Sequence, residues 1–201
     1  MRCYPLAQHM ESSGKSVLRD RVRELVRAVS TDERRALSQR LCGVALRDNY
    51  WRSAGSSLFF APLPDEPDIT PLLHEAWRTR RLVALPRFDA GTNGYAACVV
   101  SSRAELTTGR YGVMEPSPAC PLIPLNQLDF AFVPGVAFDL DGRRLGRGKG
   151  FYDRLLAGVR GHKCGVALDA QIVTEVPEES HDVRVDSILT PTRWHWCGTA
   201  G

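Results

Sequence analysis

The sequence predicts a single α/β domain whose mostly parallel, Rossmann-like sheet is flanked by helices in a three-layer arrangement. The chain has 201 residues, which suits one domain with a full-sized core. Short apolar runs of strand length alternate with stretches of helical apolar spacing, an order typical of parallel sheets. One of these runs leads directly into a glycine-rich basic loop, as strands do at the ligand sites of such sheets. We expect the domain to span residues 15–192, between a loose leader at 1–14 and a tail at 193–201.

Two helices are predicted before the first strand. The first covers residues 15–29, where apolar residues recur at helical spacing and basic residues repeat every four positions along a second face. A solvated face is the simplest explanation for the later of these basic residues. The second helix covers residues 31–47, behind a capping box formed by Ser30 and Glu33.

Five strands are predicted, of which the run at 128–133 is central. The first strand ends in the proline-rich loop 62–66, at the position where open α/β sheets bind ligands. Further helices are predicted behind Asp68 and from Phe151 onward. Residues 107–126 are rich in Pro and Gly and are predicted to form a long irregular loop that covers a site. The five predicted strands are 58–61, 81–86, 95–100, 128–133 and 163–168.

The composition excludes several other classes of protein. A net charge of +3 is too small to indicate nucleic-acid binding. The six cysteines include no Cys-x-x-Cys pair, which favours reduced thiols over a disulfide framework or a zinc site. No apolar run approaches the length of a membrane span, and the first 13 residues lack the apolar segment of a signal peptide. We therefore expect a cytoplasmic protein that does not bind a membrane.

The loop after the central strand has the composition of a polyphosphate-binding site. Gly146, Gly148 and Gly150 alternate with Arg147 and Lys149. Glycines let the backbone approach a ligand and present its N–H groups, and the N-terminus of the following helix adds a partial positive charge. Arg and Lys side chains supply full positive charges. The pattern thus predicts that this loop binds a polyphosphate.

The loop matches neither of the two best-known phosphate-binding motifs. A P-loop requires Ser or Thr after its lysine, whereas Lys149 is followed by Gly150. The dinucleotide motif requires a glycine where the chain has Phe151. A flexible basic surface loop is a further alternative, but Phe151 and Tyr152 would be costly to expose there. Asp153 lies in the first turn of the predicted helix, where it could hold Mg²⁺ beside the phosphates.

The segment Leu145–Asp153 reads LGRGKGFYD and follows PGVAFD at 134–139. Together these two segments closely resemble the signature of the 5-formyltetrahydrofolate cyclo-ligase family, and the resemblance extends over residues 15–190. It implies an enzyme that cyclises 5-formyltetrahydrofolate to 5,10-methenyltetrahydrofolate, with ATP as co-substrate and Mg²⁺ as cofactor. The implied partners are therefore the small molecules ATP and folate, and we expect a monomer.

The resemblance also implies which side chains bind ATP. Lys15 and Arg19 correspond to a Lys-x-x-x-Arg pair of the family that reaches the ATP phosphates. Their expected position in the first turns of a helix, where cations oppose the macrodipole, also favours an anionic partner. The complete set predicted to bind ATP is Lys15, Arg19, Arg144, Gly146, Arg147, Gly148, Lys149, Gly150 and Tyr152.

A family glutamate that contacts the pterin ring corresponds to Glu66, although the register of this loop leaves Asp65 as an alternative. Tyr111 falls where many family members have Trp; it could stack on a flat ring or anchor its own loop. Asp186 corresponds to a family aspartate associated with Mg²⁺, and the residues alone make Asp182 an equal candidate. The predicted substrate-binding set is Leu63, Glu66, Tyr111, Arg147, Lys149 and Phe151. The predicted metal ligands are Asp153 and Asp186.

Two other functions fit parts of the sequence. A non-catalytic relative of the same fold could bind nucleotide or RNA. Loss of catalysis should first change the segment from Arg144 to Asp153, and the intact segment here argues against this alternative. A kinase or phosphosugar enzyme on a similar sheet would bind ATP without responding to folate. No motif for a Ser, Cys or zinc-dependent hydrolase is present.

Overall fold

The computed structural model describes residues 6–109 and 112–198, with the backbone alone described for residues 6–13. Its strands are β1 (Ser56–Leu58), β2 (Leu82–Asp89), β3 (Gly94–Val99), β4 (Leu106–Thr108), β5 (Met114–Pro116), β6 (Phe130–Pro134), β7 (Ala137–Phe138), β8 (Arg144–Leu145), β9 (His162–Val166), β10 (Ser187–Leu189) and β11 (Trp194–Trp196). Its α-helices are α1 (Leu6–Ala28), α2 (Thr31–Arg47), α3 (Asn49–Ser53), α4 (Thr70–Arg78) and α5 (Phe151–Leu156).

Seven strands form the central sheet, in the order β11-β10-β9-β6-β1-β2-β3. Neighbouring strands from β10 to β2 run parallel, while β3 and β11 are antiparallel additions at the two edges. Strand β6 lies in the middle, as the sequence predicts. The expected mostly parallel α/β sheet is confirmed.

The central strand separates two hydrophobic cores. Phe130 and Phe132 of β6 point into the core beneath α2 and α4, whereas Ala131 and Val133 point into the core beneath α5. This alternation follows from the two-residue period of a strand, and all four side chains are fully buried. The helices thus cover both faces of the sheet, which gives the three predicted layers.

The first helix differs from its prediction. Helix α1 begins at Leu6, so Lys15 lies well inside it and not in its first turn. Arg19 lies further inside α1 still, so the macrodipole does not favour an anion beside either residue. Lys15 instead contacts the partly buried carboxylates of Asp182 and Glu179, described below. Helix α2 has the predicted bounds, and the Ser30 hydroxyl caps it by accepting a hydrogen bond from the Glu33 N–H at 3.2 Å.

Two segments expected to be irregular contain strands. Strands β4 and β5 pair as a short antiparallel hairpin within residues 106–116, so the prediction of an entirely irregular loop there was wrong. Residues Trp194–Trp196, assigned to a tail, form edge strand β11 on β10, and the tail boundary at 193 was therefore wrong. A strand of three residues is too short to show hydrophobic alternation in the sequence. Its extended conformation comes from hydrogen bonds with the neighbouring strand. Among the described residues, no helix is long and apolar enough to cross a bilayer.

Candidate active site

A cavity of about 550 Å³ opens at the carboxyl ends of the central strands. The residues that line it include Pro134 at the end of β6, Phe60 shortly after the end of β1, and the first residues of α5. Ligands bind at this end of open α/β sheets because the loops that follow the strands converge there. Most residues predicted to bind ATP, folate or a metal line it: Lys15, Arg19, Leu63, Glu66, Arg144, Gly146, Arg147, Gly148, Lys149, Gly150, Phe151, Tyr152 and Asp153.

Two glycines of the glycine-rich loop have backbone angles that other residues rarely adopt. Gly148 and Gly150 have φ angles of +95° and +62°, in the region that favours glycine over residues with a side chain. Gly150 directly precedes α5. The Arg19 Nε donates a hydrogen bond to the Gly146 carbonyl at 2.9 Å, so helix α1 is tied to this loop.

Arg144 lies beneath the loop, and only 2% of its side chain is exposed. Its Nη2 is 2.5 Å from Asp153 Oδ1, and its Nη1 donates to the Pro134 carbonyl at 3.2 Å. The Tyr152 ring is close by, with its centroid 6.0 Å from Arg144 Cζ. Burial raises the pKa of the Tyr152 phenol, so this group stays neutral at physiological pH.

Lys15 reaches the cavity from helix α1 and is nearly buried. Its Nζ lies 2.6 Å from Asp182 Oδ2 and 3.1 Å from Glu179 Oε1. Both carboxylates also line the cavity. Sequence reasoning missed the role of Glu179, because the contact joins segments more than 160 residues apart and no local pattern signals it.

Glu66 and Arg147 connect the loop after β1 to the glycine-rich loop. The Arg147 Nη2 lies 3.1 Å from Glu66 Oε1 and 2.7 Å from Asp65 Oδ1. The other Glu66 oxygen accepts a hydrogen bond from the Leu63 N–H at 3.0 Å. Burial raises the pKa of Glu66, whereas the Leu63 N–H and the Arg147 charge oppose that rise. Glu66 is 8% exposed and Asp65 is 40% exposed, so the structure favours Glu66 as the carboxylate that faces a buried ligand.

Three cations that line the cavity are thus each in contact with a carboxylate that also lines it, in the pairs Lys15–Asp182, Arg144–Asp153 and Arg147–Glu66. In each pair, a residue predicted to bind phosphate contacts a carboxylate considered for the metal or the substrate. An anionic ligand that enters the cavity can take over the cations, which leaves the carboxylates available for a metal ion or for polar groups of a second ligand.

Asp186 does not lie where it was predicted. Its Oδ2 accepts a hydrogen bond from the Lys163 N–H at 2.7 Å, at the amino ends of β9 and β10 and away from the cavity. The predicted placement of Asp186 beside Asp153 was therefore wrong, because Asp186 directly precedes β10 and lies at the opposite end of the sheet from the cavity. Asp182, the alternative, does line the cavity. Tyr111 falls outside the described residues.

Two further residues line the cavity, Tyr95 and Glu115, which the sequence did not indicate as site residues. Tyr95 of β3 lines the cavity, and its ring centroid lies 5.5 Å from that of Phe151 at a near-perpendicular angle. Glu115 of β5 also lines it, and this buried carboxylate accepts a hydrogen bond from the Phe88 N–H at 3.1 Å. Glu115 could not be foreseen because the β4–β5 hairpin that places it was predicted as irregular chain.

The acidic side chains of the cavity fit a magnesium ion that arrives with a nucleotide. Within residues 6–109 and 112–198, no cluster of three or more His, Cys, Asp or Glu side chains could hold a metal alone. Mg²⁺ in nucleotide sites needs only one or two carboxylates, since phosphate oxygens and water complete its coordination. Asp153 and Asp182 supply that number.

Comparison with known proteins identifies the family of this chain. The model of the 5-formyltetrahydrofolate cyclo-ligase family matches residues 11–191. The 5-formyltetrahydrofolate cyclo-ligase of Escherichia coli K12 is 31% identical over 183 residues, which cover 87% of this chain and all of the relative. The mouse enzyme of the same name is 27% identical over 190 residues, covering 89% of this chain and 94% of the relative.

A solved structure gives the same answer. The NMR structure of Aquifex aeolicus 5,10-methenyltetrahydrofolate synthetase superimposes with a TM-score of 0.84 and 34% identity, covering 93% of this chain and 94% of that one. The family match covers β6, the glycine-rich loop and α5, which line one side of the cavity. The chain therefore belongs to the 5-formyltetrahydrofolate cyclo-ligase family of enzymes.

Proposed function

We propose that this enzyme uses ATP to convert 5-formyltetrahydrofolate to 5,10-methenyltetrahydrofolate, releasing ADP and phosphate. One observation carries the proposal beyond the family assignment. The glycine-rich basic loop and the loop that bears Glu66 line a single cavity, and the Arg147–Glu66 contact joins them. A nucleotide on the first loop and a folate on the second would therefore meet within reach of each other.

The phosphates of ATP bind at the Gly146–Gly150 loop. The backbone N–H groups of the loop form the cradle, and cations from two directions neutralise the phosphate charge. Such charge neutralisation is the main protein contribution to phosphoryl transfer. The cations are Lys15, Arg19, Arg144, Arg147 and Lys149, all of which line the cavity.

Asp153 and Asp182 would hold Mg²⁺, directly or through water. When bound, the metal would supply positive charge that offsets the negative charge of the phosphates. The present partners of these carboxylates, Arg144 and Lys15, would then turn to phosphate oxygens.

The folate binds on the opposite side of the same cavity. Glu66 would accept hydrogen bonds from the pterin, and the position of Leu63 beside it provides apolar contact. Phe151 and Tyr152 would shape the region where nucleotide and folate meet, and Tyr111 remains a proposed contact for a flat ring. Burial keeps Tyr152 protonated, so it can donate a hydrogen bond.

The reaction itself requires no nucleophile from the protein. The N5-formyl oxygen attacks the γ-phosphorus of ATP, and the bond to the bridging oxygen of ADP breaks. N10, which the folate itself holds near the formyl carbon, then attacks that carbon and loses its proton to water or to the departing phosphate. The carbon–oxygen bond breaks, its electron pair leaves with the oxygen, and inorganic phosphate is released. Good orientation of a tethered group can contribute about 7–11 kcal/mol to such a step. The side chains around the cavity therefore need only to align the two ligands and stabilise charge.

The direct test is the ATP-dependent appearance of methenyl-folate absorbance when the purified protein is mixed with 5-formyltetrahydrofolate. We expect turnover that requires both ATP and Mg²⁺. Thermal-shift measurements with Mg-ATP and with 5-formyltetrahydrofolate, each alone, should both show stabilisation. Stabilisation by nucleotide alone, without turnover, would favour a non-catalytic relative or a kinase-like enzyme instead.

We propose a cytoplasmic location and a monomeric state. Five cysteines lie among the described residues, and each is a free thiol, as expected in a reducing compartment. All the side chains assigned above come from one chain, so the proposed chemistry needs no second subunit.

A further inference from the structure

Arg34 occupies a position in helix α2 that the helix itself does not explain. It lies in the first turn after the cap at Ser30, where a cation opposes the helix macrodipole. Asp32 and Glu33 beside it are the residue types that this position favours. The reason for an arginine there must therefore come from contacts outside the helix.

The Arg34 guanidinium contacts two segments that lie outside α2. Its Nη2 donates to the carbonyls of Val26 and Val29, at 3.1 Å and 3.0 Å, where α1 ends. Its Nη1 donates to the carbonyl of Pro64, in the loop after β1. The planar guanidinium can direct several donors at once, which the single ammonium of lysine cannot reproduce over the same span. One side chain thus clamps the end of α1 to the loop 62–66.

These two segments carry the two sides of the active site. Helix α1 carries Lys15 and Arg19, which are proposed to bind the ATP phosphates. The loop carries Glu66, and Pro64 lies inside the turn that the Glu66 N–H closes on the Leu63 carbonyl at 2.9 Å. Arg34 does not line the cavity, so it acts on neither ligand directly.

We propose that Arg34 is a positioning residue that sets the distance between the phosphate-binding helix and the folate-binding loop. The inference rests on the proposed function, because the reaction requires the γ-phosphorus and the formyl oxygen to be held in line. A displacement of about 1 Å between reacting groups can lower the rate by about 100-fold. Loss of the clamp should therefore affect turnover of the complete ternary complex more than the binding of either ligand.

Arg35 provides a matched control on the same turn. Its side chain is 70% exposed, and its Nη1 lies 3.5 Å from Asp32 Oδ1 on the same helix. Arg34→Ala and Arg35→Ala therefore remove the same atoms from adjacent helical positions, and only Arg34→Ala opens the clamp. Arg34→Lys keeps the positive charge and roughly the length of the side chain, but it loses the planar guanidinium with its several donors.

The test compares these three variants by steady-state kinetics and by hydrogen exchange. We expect Arg34→Ala to lower kcat about tenfold or more at saturating ligands, with KM values within about threefold of the wild type. Arg34→Lys should recover only part of kcat, and Arg35→Ala should match the wild type. Lowered thermal stability of Arg34→Ala with an unchanged kcat, or full recovery in Arg34→Lys, would reduce Arg34 to an ordinary structural role.

Hydrogen exchange provides a readout that does not depend on the reaction. In the ligand-free protein, the Glu66 amide should exchange faster in Arg34→Ala than in Arg35→Ala, because the Pro64 carbonyl loses its hydrogen bond from Arg34. Equal exchange in the two variants would overturn the clamp even if the enzyme is active. Faster exchange in a protein that never turns over folate would support the clamp and count against the proposed function instead.

Discussion

Arg147 Nη2 lies 3.1 Å from Glu66 Oε1, and this contact spans the cavity between residues 81 positions apart in the chain. The same guanidinium also donates through Nε to Glu66 at 3.3 Å. Since Arg147 is proposed to bind phosphate and Glu66 the pterin, nucleotide binding would draw Arg147 away and free Glu66. Binding of ATP and folate should therefore be coupled.

Replacement of Arg147 tests this coupling. Arg147→Ala removes a phosphate contact and a charge, so kcat/KM should fall about 100-fold. The kcat/KM of Arg147→Lys should fall less, because lysine keeps the positive charge but cannot donate two hydrogen bonds in the fixed geometry of a guanidinium. Isothermal titration should also show that Mg-ADP alters folate affinity in the wild type and not in Arg147→Ala. Full turnover by Arg147→Ala would contradict the assignment.

Glu66 gives a prediction about stability. Burial raises the pKa of Glu66 above its ordinary value of 4.5, so the folded protein keeps this proton to a higher pH than the unfolded chain does. The stabilising contribution of the protonated form is thus complete below pH 4.5 and is lost as pH rises through the folded pKa. Glu66→Gln cannot ionise and should lack this loss.

Chemical denaturation at several pH values measures the effect. The free energy of unfolding of Glu66→Gln, relative to the wild type, should increase as pH rises above 4.5 in the absence of ligands. A constant difference across that range would mean that the carboxylate is not buried as the structure shows. The same variant should bind 5-formyltetrahydrofolate more weakly, since an amide accepts fewer hydrogen bonds than a carboxylate.

The elements that could be predicted from sequence are those with local signals. Strand β6 shows a buried apolar run, and the glycines after it indicate a loop of unusual backbone freedom, which Gly148 and Gly150 use with their positive φ angles. Lys15 could be assigned only through the family resemblance, because its carboxylate partners lie far along the chain. No local sequence pattern indicated Glu115 or Arg34. The β4–β5 hairpin positions Glu115, and the role proposed for Arg34 depends on contacts with the end of α1 and the loop after β1.

The choice between Asp182 and Asp186 shows why sequence proximity is not enough. Both are acidic residues in one short segment, and no local pattern separates them. Asp186 immediately precedes β10 and so lies at the amino end of the sheet, whereas Asp182 lies in the preceding loop at the cavity. Which end of a strand a residue occupies depends on sheet topology, and that was available only from the fold.

Substitutions of the aspartates should separate their roles. Asp153→Asn and Asp182→Asn should each raise the Mg²⁺ concentration needed for half-maximal turnover by about tenfold. Asp186→Asn serves as the matched control and should leave the Mg²⁺ requirement unchanged. Titration of Mg²⁺ at fixed ATP and folate gives the answer. An effect of Asp186→Asn as large as that of Asp182→Asn would reverse the assignment.

Lys15 can be compared with another basic residue on the same helix. Lys15→Gln removes a charge that lines the cavity, so KM for ATP should rise about tenfold, as expected for loss of one charge-assisted hydrogen bond. Arg27→Gln changes an exposed residue in the last turn of α1 and should leave KM for ATP unchanged. Equal effects of the two substitutions would indicate a general field of the basic helix and not a phosphate contact.

Trp194 tests whether the C-terminal edge strand contributes to the domain. Its ring packs on Phe130 with a centroid separation of 6.2 Å, and β11 completes the sheet beside β10. Because the side chain is only partly buried, Trp194→Ala should destabilise the fold by about 2 kcal/mol, which corresponds to about 6 °C in Tm for a chain of this size. KM values measured well below Tm should not change, since Trp194 does not line the cavity. A variant as stable as the wild type would mean that residues beyond 193 act as a tail after all.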